Sequence, residues 1–246
     1  MVKIIVFCTK IVIATIMALL FTSCHTNFNF GSGIDGNGNV TTEKRDVNGD
    51  FTKIEARRGL NVEVQQSNSY SVEVEADENL QEHITTKVEN GSLVITADEN
   101  IDEYESKTIR VKMPTITGLE TSSGASITGQ NTFLGANLNV KSSSGSEIDI
   151  EVEIDTIDCE STSGSSITIK GKALTVTTSS SSGSEIEAGN LMANEITSEA
   201  TSGSSSKVYP IELLKAKASS GGSIDYNHSP KTISKEESSG GSISKE

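Results

Sequence analysis

The 246-residue chain contains no tryptophan, and aromatic residues make up only 4% of it. A core built on large rings is therefore excluded, and burial must come from Ile, Val, Leu and Ala with help from stacked Ser and Thr. Prolines number three against 21 glycines, so rigid breaks are few and tight turns many. Basic residues are short as well: 20 Lys and Arg face 34 Asp and Glu, a formal charge of −14. Phosphate recognition needs clustered Lys and Arg, so this balance argues against nucleic acid as a partner. The three histidines, His25, His83 and His228, share no motif spacing. Neither a zinc site nor a Ser-His pair is expected from them. Despite many Ser-Gly pairs, no G-x-S-x-G nucleophile elbow occurs in the part expected to fold. These gaps leave no catalytic, cofactor or metal residue to name, and the expectation is a non-enzyme.

Cysteine is scarce too, and its placement is informative. Met1–Ser23 reads as an export signal: Lys3 supplies the positive start, and Ile11–Phe21 is an apolar run too short to span a bilayer comfortably. Thr22-Ser23-Cys24 resembles a bacterial lipobox, in which the cysteine is lipidated after cleavage and becomes the first mature residue. Cys24 is therefore the expected lipidation site. The reading is an outer-membrane lipoprotein of the cell envelope, held to the membrane by its lipid alone. Loss of the signal takes Lys3, Lys10 and no acids, moving the charge from −14 to −16. Cys8 leaves with the signal, so Cys159 has no partner and no disulfide framework exists.

Residues 24–39 read as a flexible Gly/Asn-rich tether. Gly31, Gly33 and Gly36 satisfy G-x-G-x-x-G, but no strand precedes them and no helix pattern follows. Asp35, Asn37 and Asn39 have the first spacing of a calcium loop, yet Val40 stands where its glycine is needed and Asp46 where its glutamate is needed.

Residues 40–115 read as a β-rich region. Leu60, Val62 and Val64, then Tyr70, Val72 and Val74, alternate with polar residues as half-buried strands do. Asn90-Gly91 marks a hairpin. The stretch "DENLQEHITTKV" has room for a helical turn, and no long amphipathic helix is present.

Residues 116–246 are periodic. Gly124, Gly145, Gly164, Gly183, Gly203, Gly221 and Gly240 follow one another at intervals of 21, 19, 19, 20, 18 and 19. Three positions after each stand Ile127, Ile148, Ile167, Ile186, Ser206, Ile224 and Ile243. Five before stand Leu119, Val140, Cys159, Thr178, Ser198, Ala216 and Lys235, which makes Cys159 a small core residue. The physical solution is an all-β fold, a parallel β-solenoid of seven C-terminal coils of about 19 residues, each turned by a Ser-Ser-Gly corner. Like residues then stack about 4.8 Å apart, and seven coils span roughly 30 Å. Glycine supplies the positive φ at the corner, and the serines bond to backbone or to one another. In the last unit Lys235, Glu237 and Lys245 replace apolar inward positions, which discourages end-to-end stacking and favours a monomer.

Acidic residues alternate with apolar ones at Glu147, Asp149, Glu151 and Glu153, and again at Glu185 and Glu187. A glycosidase pair or a calcium stripe is one reading, and the solvated face of a strand is the other and the favoured one.

Residues Gly36–Gln66 carry "GNGN", Arg45, Phe51, Ile54 and the strand through Val62 and Val64; "ADENL" (Ala76–Leu80) and "NGSLVI" (Asn90–Ile95) follow. Together these resemble the opening of the Bacteroidetes auto-transporter adhesin head GIN domain, and the Ser-Gly-Ser repeats resemble its remainder. The resemblance implies a β-helix-like fold on a secreted, often lipid-anchored envelope protein, with no catalytic residues to carry over. The expected function is adhesive or structural, with a glycan or protein ligand read on a solenoid face. Two rivals stand beside it. One is a polysaccharide lyase or glycosidase on a β-helix, which rests on fold analogy alone. The other is an accessory ligand-binding or sensing lipoprotein.

Overall fold

Alternation of β-branched with polar residues makes strand of most of residues 33–246, the part of the chain that the computed structural model describes. Residues 1–32, with the expected export signal and Cys24, lie outside the described residues. Within them, helical structure is confined to one 3-10 turn at Glu78–Leu80, inside the stretch with room for a helical turn.

The N-terminal strands are β1 (Val40–Lys44), β2 (Lys53–Ala56), β3 (Asn61–Gln66), β4 (Ser71–Asp77), β5 (Ile84–Glu89), β6 (Ser92–Ala97) and β7 (Lys107–Met113). The periodic half supplies β8 (Gly118–Thr121), β9 (Ser126–Gly129), β10 (Phe133–Ser143), β11 (Glu147–Thr162), β12 (Ser166–Ser181), β13 (Glu185–Ala200), β14 (Ser205–Ala218), β15 (Ser223–Tyr226), β16 (Thr232–Glu237) and β17 (Ser242–Lys245). All 17 join one sheet, with parallel pairing throughout the periodic half. The solenoid reading holds, with about seven turns repeating every 19 residues or so.

Two residues, not one, turn each corner. The glycines have φ of 70–79°, and the serines before them, Ser123 through Ser239, have φ of 49–56°. A left-handed serine is unfavourable by itself. The corner offsets this by hydrogen bonding up the stack: Gly145 N–H donates to Ser163 O at 3.2 Å, and Gly164 N–H to Ser182 O at 3.1 Å. The columns form as the register demands. Ile148 pairs with Ile127 and Ile167, Ile167 with Ile186, and every member from Ile127 to Ile243 is at most 6% exposed.

Between the apolar columns runs a buried seam of hydroxyls. Ser142, Ser161, Ser165, Ser180 and Ser184 are no more than 2% exposed. Ser165 Oγ lies 2.9 Å from Ser161 Oγ, accepts the Thr162 N–H at 3.1 Å and lies 2.7 Å from the carbonyls of Ser142 and Thr162. These bonds supply partners that apolar residues there would not.

The parallel stack reaches upstream of the periodic segment. Arg58 and Gly59, with φ of 56° and 67°, form the same corner, and Gly59 N–H donates to Ser123 O at 2.9 Å. β2 pairs with β8 and β3 with β9, while β6 and β7 lie parallel to β2 and β3 on their other side. That end is closed by antiparallel strands: β5 on β6, β4 on β7 and β1 on β4. Arg110 bridges the closing layer, bonding to Glu75 on β4 at 2.8 Å and to Glu63 on β3 at 3.0 Å.

The tether expected through Asn39 is shorter, because its last residues are bound to the fold. Ile34 N–H donates to Asn100 O at 2.8 Å, Gly36 N–H to Glu103 O at 2.7 Å and Gly38 N–H to Asp77 Oδ2 at 2.8 Å.

Candidate functional site

Where adjacent coils bend opposite the serine corners, alternation breaks. Asp155 and Thr156 are both exposed between buried Ile154 and Ile157. The register aligns this bend from coil to coil: Ile154 pairs with Ala173, Ala173 with Ala193, and Ala193 with Pro210. Ala193 is fully buried, but Ala173 adds little bulk beside Ile154, and a groove of about 380 Å³ opens there across four successive coils. Ile154, Ala173, Leu174, Met192 and Ile211 give it an apolar floor. Leu174 is 53% exposed and Met192 39%, and what sets them apart from single exposed residues such as Leu134 is that they share one groove. Its rim is polar, with Glu153 and Asp155 on one coil, Lys172 on the next and Asn194 on the third. Lys172 Nζ stands 3.7 Å from Glu153 Oε1, whereas among the described residues no basic side chain bridges to Asp155. The size and the apolar lining with a few polar groups are those of a ligand site.

The bend is set by local backbone. One position before Lys172, Gly171 has a φ of 121°, and a Cβ there would meet the Val152 carbonyl oxygen at 1.9 Å. Only glycine lets β12 pass β11 so closely at the edge of the groove.

The residues weighed for chemistry fall elsewhere. Glu151 and Glu187 are engaged by lysines of neighbouring coils, Lys170 at 3.4 Å and Lys207 at 3.1 Å. Among the described residues, no three His, Cys, Asp or Glu side chains gather as a metal would require. His83 Nδ1 lies 3.0 Å from Asp98 Oδ1. His228 Nδ1 lies 3.0 Å from the Pro210 carbonyl, with its ring stacked on Tyr209 at 5.3 Å and 15°. Asp35 and Asn37 bond to backbone, at Glu103 and Asn39, instead of facing a common ion. Cys159 is fully buried, and burial with the nearby Asp158 charge pushes its thiol up to about 12. Of the groove residues, the sequence pointed only to Glu153 as a candidate for chemistry and to Ile154 as its apolar neighbour. The available signal was Leu174, an apolar residue at an outward register position.

No helix among the described residues is long and apolar enough to cross a membrane. The fold is that of several solved structures. A putative adhesin from Bacteroides fragilis NCTC 9343 is 22% identical with a TM-score of 0.80, the match covering 87% of this chain and 100% of that one. A putative adhesin from Parabacteroides merdae ATCC 43184 is 18% identical with a TM-score of 0.70, covering 87% and 98%. A putative lipid binding protein from Parabacteroides distasonis ATCC 8503 is 22% identical with a TM-score of 0.65, covering 87% and 99%. No curated protein matches the sequence. Residues 50–230, from just before β2 through the last corner but one, match the family described as "Putative auto-transporter adhesin, head GIN domain", and the chain belongs to that family.

Proposed function

We propose that this chain is a non-enzymatic, adhesin-like protein of the cell envelope that binds a glycan or a protein on its coil stack, tethered to the outer membrane by lipid on Cys24. The observation that carries the reading is the groove at the coil bends, where Leu174 and Met192 stand exposed on a rigid parallel sheet. A preformed site on strands needs little ordering on binding, which favours recognition of a large ligand. The family's adhesin description points the same way. The acidic stripe that a glycosidase would use is instead crossed by lysines from coil to coil.

The test is a binding screen of the purified protein on glycan arrays and on separated envelope and host-surface proteins. Each hit is repeated with Leu174→Ser combined with Met192→Ser. Binding that the double variant loses supports the reading, and binding that it leaves intact moves the function off the groove. Turnover of a polysaccharide, abolished by one acidic substitution, overturns the non-enzymatic part. For the anchor, labelled palmitate should enter the wild type and not Cys24→Ala, and label in both rejects lipidation at that cysteine.

A further inference from the structure

We infer that the groove takes an extended polypeptide segment carrying a Lys or Arg beside an apolar anchor. This rests on the adhesin-like reading and narrows its ligand from glycan or protein to protein.

Three features of the groove favour that occupant. First, its floor is aliphatic: none of the residues lining it is aromatic. A sugar ring would find no aromatic face to stack on, whereas Leu, Met and Ile side chains would find dispersion contacts. Second, the floor is open, with Leu174 more than half exposed. A fatty acyl chain lying there would keep much of its surface in water, while a peptide buries its side chains downward and leaves its polar backbone up. Third, the rim is acidic. Lys172 is already opposed by Glu153, so Asp155 brings an uncompensated charge to a chain whose formal charge is −14. Charge of that sign steers a basic segment toward the site and repels an acidic one. The dimensions agree: four coils are three steps of about 4.8 Å, and about four residues of extended chain at ~3.3 Å each cover that length.

The test uses the full-length protein in fluorescence polarisation with three labelled hexapeptides: alternating Leu and Lys, alternating Leu and Glu, and alternating Ser and Lys. The Leu/Lys peptide should bind at least about tenfold more tightly than either control, a difference of roughly 1.4 kcal/mol. Asp155→Asn should weaken it about threefold to tenfold, as expected of one exposed charge pair with its hydrogen bond. Leu174→Ser with Met192→Ser should abolish binding. Both positions are exposed, so these variants should keep the wild-type urea midpoint. In a methyl-labelled sample the Met192 methyl signal should shift on adding the Leu/Lys peptide. Equal binding of the Ser/Lys peptide, or an unmoved Met192 signal, would mean attraction by charge alone and overturns the inference. A glycan whose binding depends on the groove, in the absence of peptide binding, overturns it too while leaving the adhesin-like reading intact. If ligands bind but none depends on Leu174 and Met192, the inference falls and the adhesin-like function moves off the groove; if nothing binds, both fall.

Discussion

The Glu237 carboxylate accepts the backbone N–H of Ile243 at 2.6 Å, and from the same strand Lys235 donates to the Ile243 carbonyl at 3.1 Å. In a parallel ladder alternate residues bond to one neighbour. Ser242 and Glu246 donate back to Gly222 and Tyr226, which points the Ile243 N–H and carbonyl away from β15. The two charged side chains thus take up the backbone groups that a further coil would bond. They also end the columns of Ala216 and Ala218, the residues with which they pair.

It follows that Lys235→Val with Glu237→Val continues the apolar columns and frees both Ile243 backbone groups. Such an edge is a template for a second chain. Sedimentation velocity should show the wild type as a monomer and the double variant associating as its concentration rises. A double variant that stays monomeric at every concentration would reject this account of the end.

The hydroxyl seam can be tested at Ser165. Its Oγ is the acceptor for the part-buried Thr162 N–H, so Ser165→Ala should cost about 1–2 kcal/mol, the lower part of the range for orphaning a donor. The fold should survive, since Ala125 occupies the same place in the first periodic coil. Urea unfolding should show a lower midpoint with an unchanged slope. An unchanged midpoint would mean that the seam only fills space.

How far the sequence could be read follows from the kind of information each feature needs. The columns were legible because one glycine and one isoleucine recur at a fixed interval, and a parallel stack turns that interval directly into contact. The corner at Arg58-Gly59 was hidden: arginine replaces serine there, and β4 to β7 are inserted before the next corner, so the interval is lost. What remained visible was the alternation on either side of it. The bound segment Ile34–Asn39 looks like a linker because its partners, Asp77, Asn100 and Glu103, are far along the chain. The groove was out of reach for another reason. It arises where Ala173 fails to fill space beside Ile154, and a missing volume has no letter in a sequence.

Cys159 should resist chemistry. Its thiol is buried and pushed up to about 12, first by desolvation and then by Asp158. Reaction with iodoacetamide at neutral pH should be undetectable in the folded protein and fast in urea, since the thiolate is the reactive form. The raised value means that this group's stabilising effect is complete below the ordinary thiol range and is lost as pH rises toward 12. Cys159→Thr should be tolerated within about 1 kcal/mol, because the next coils carry Thr178 and Ser198 in the same column, bonded at 2.8 Å. Labelling at Cys159 itself in the folded wild type, located by peptide mapping, would refute the burial.

Asp77 governs the opposite end of the stack at the opposite end of the pH scale. It is fully buried at the end of β4, and its carboxylate accepts N–H groups from two separate segments: Gly38 at 2.8 Å on one oxygen, Ser106 at 3.0 Å and Glu105 at 3.1 Å on the other. Burial by itself would raise its pKa, but the N–H donors of Ser106, Gly38 and Glu105 outweigh it and hold the carboxyl below the usual range. A depressed value means stability that is present above the unfolded aspartate's pKa and lost as pH falls through the folded one. Asp77→Asn removes that charge while keeping the shape, so the variant should be less stable at neutral pH by about 1–3 kcal/mol, with the gap closing as the solution is acidified. The loss should be local first. Hydrogen exchange at Gly38 and Ser106 should speed up together, since one side chain holds both, while amides of the central coils such as Ile167 keep their protection. Exchange that rises at only one of the two segments would show that Asp77 does not join them.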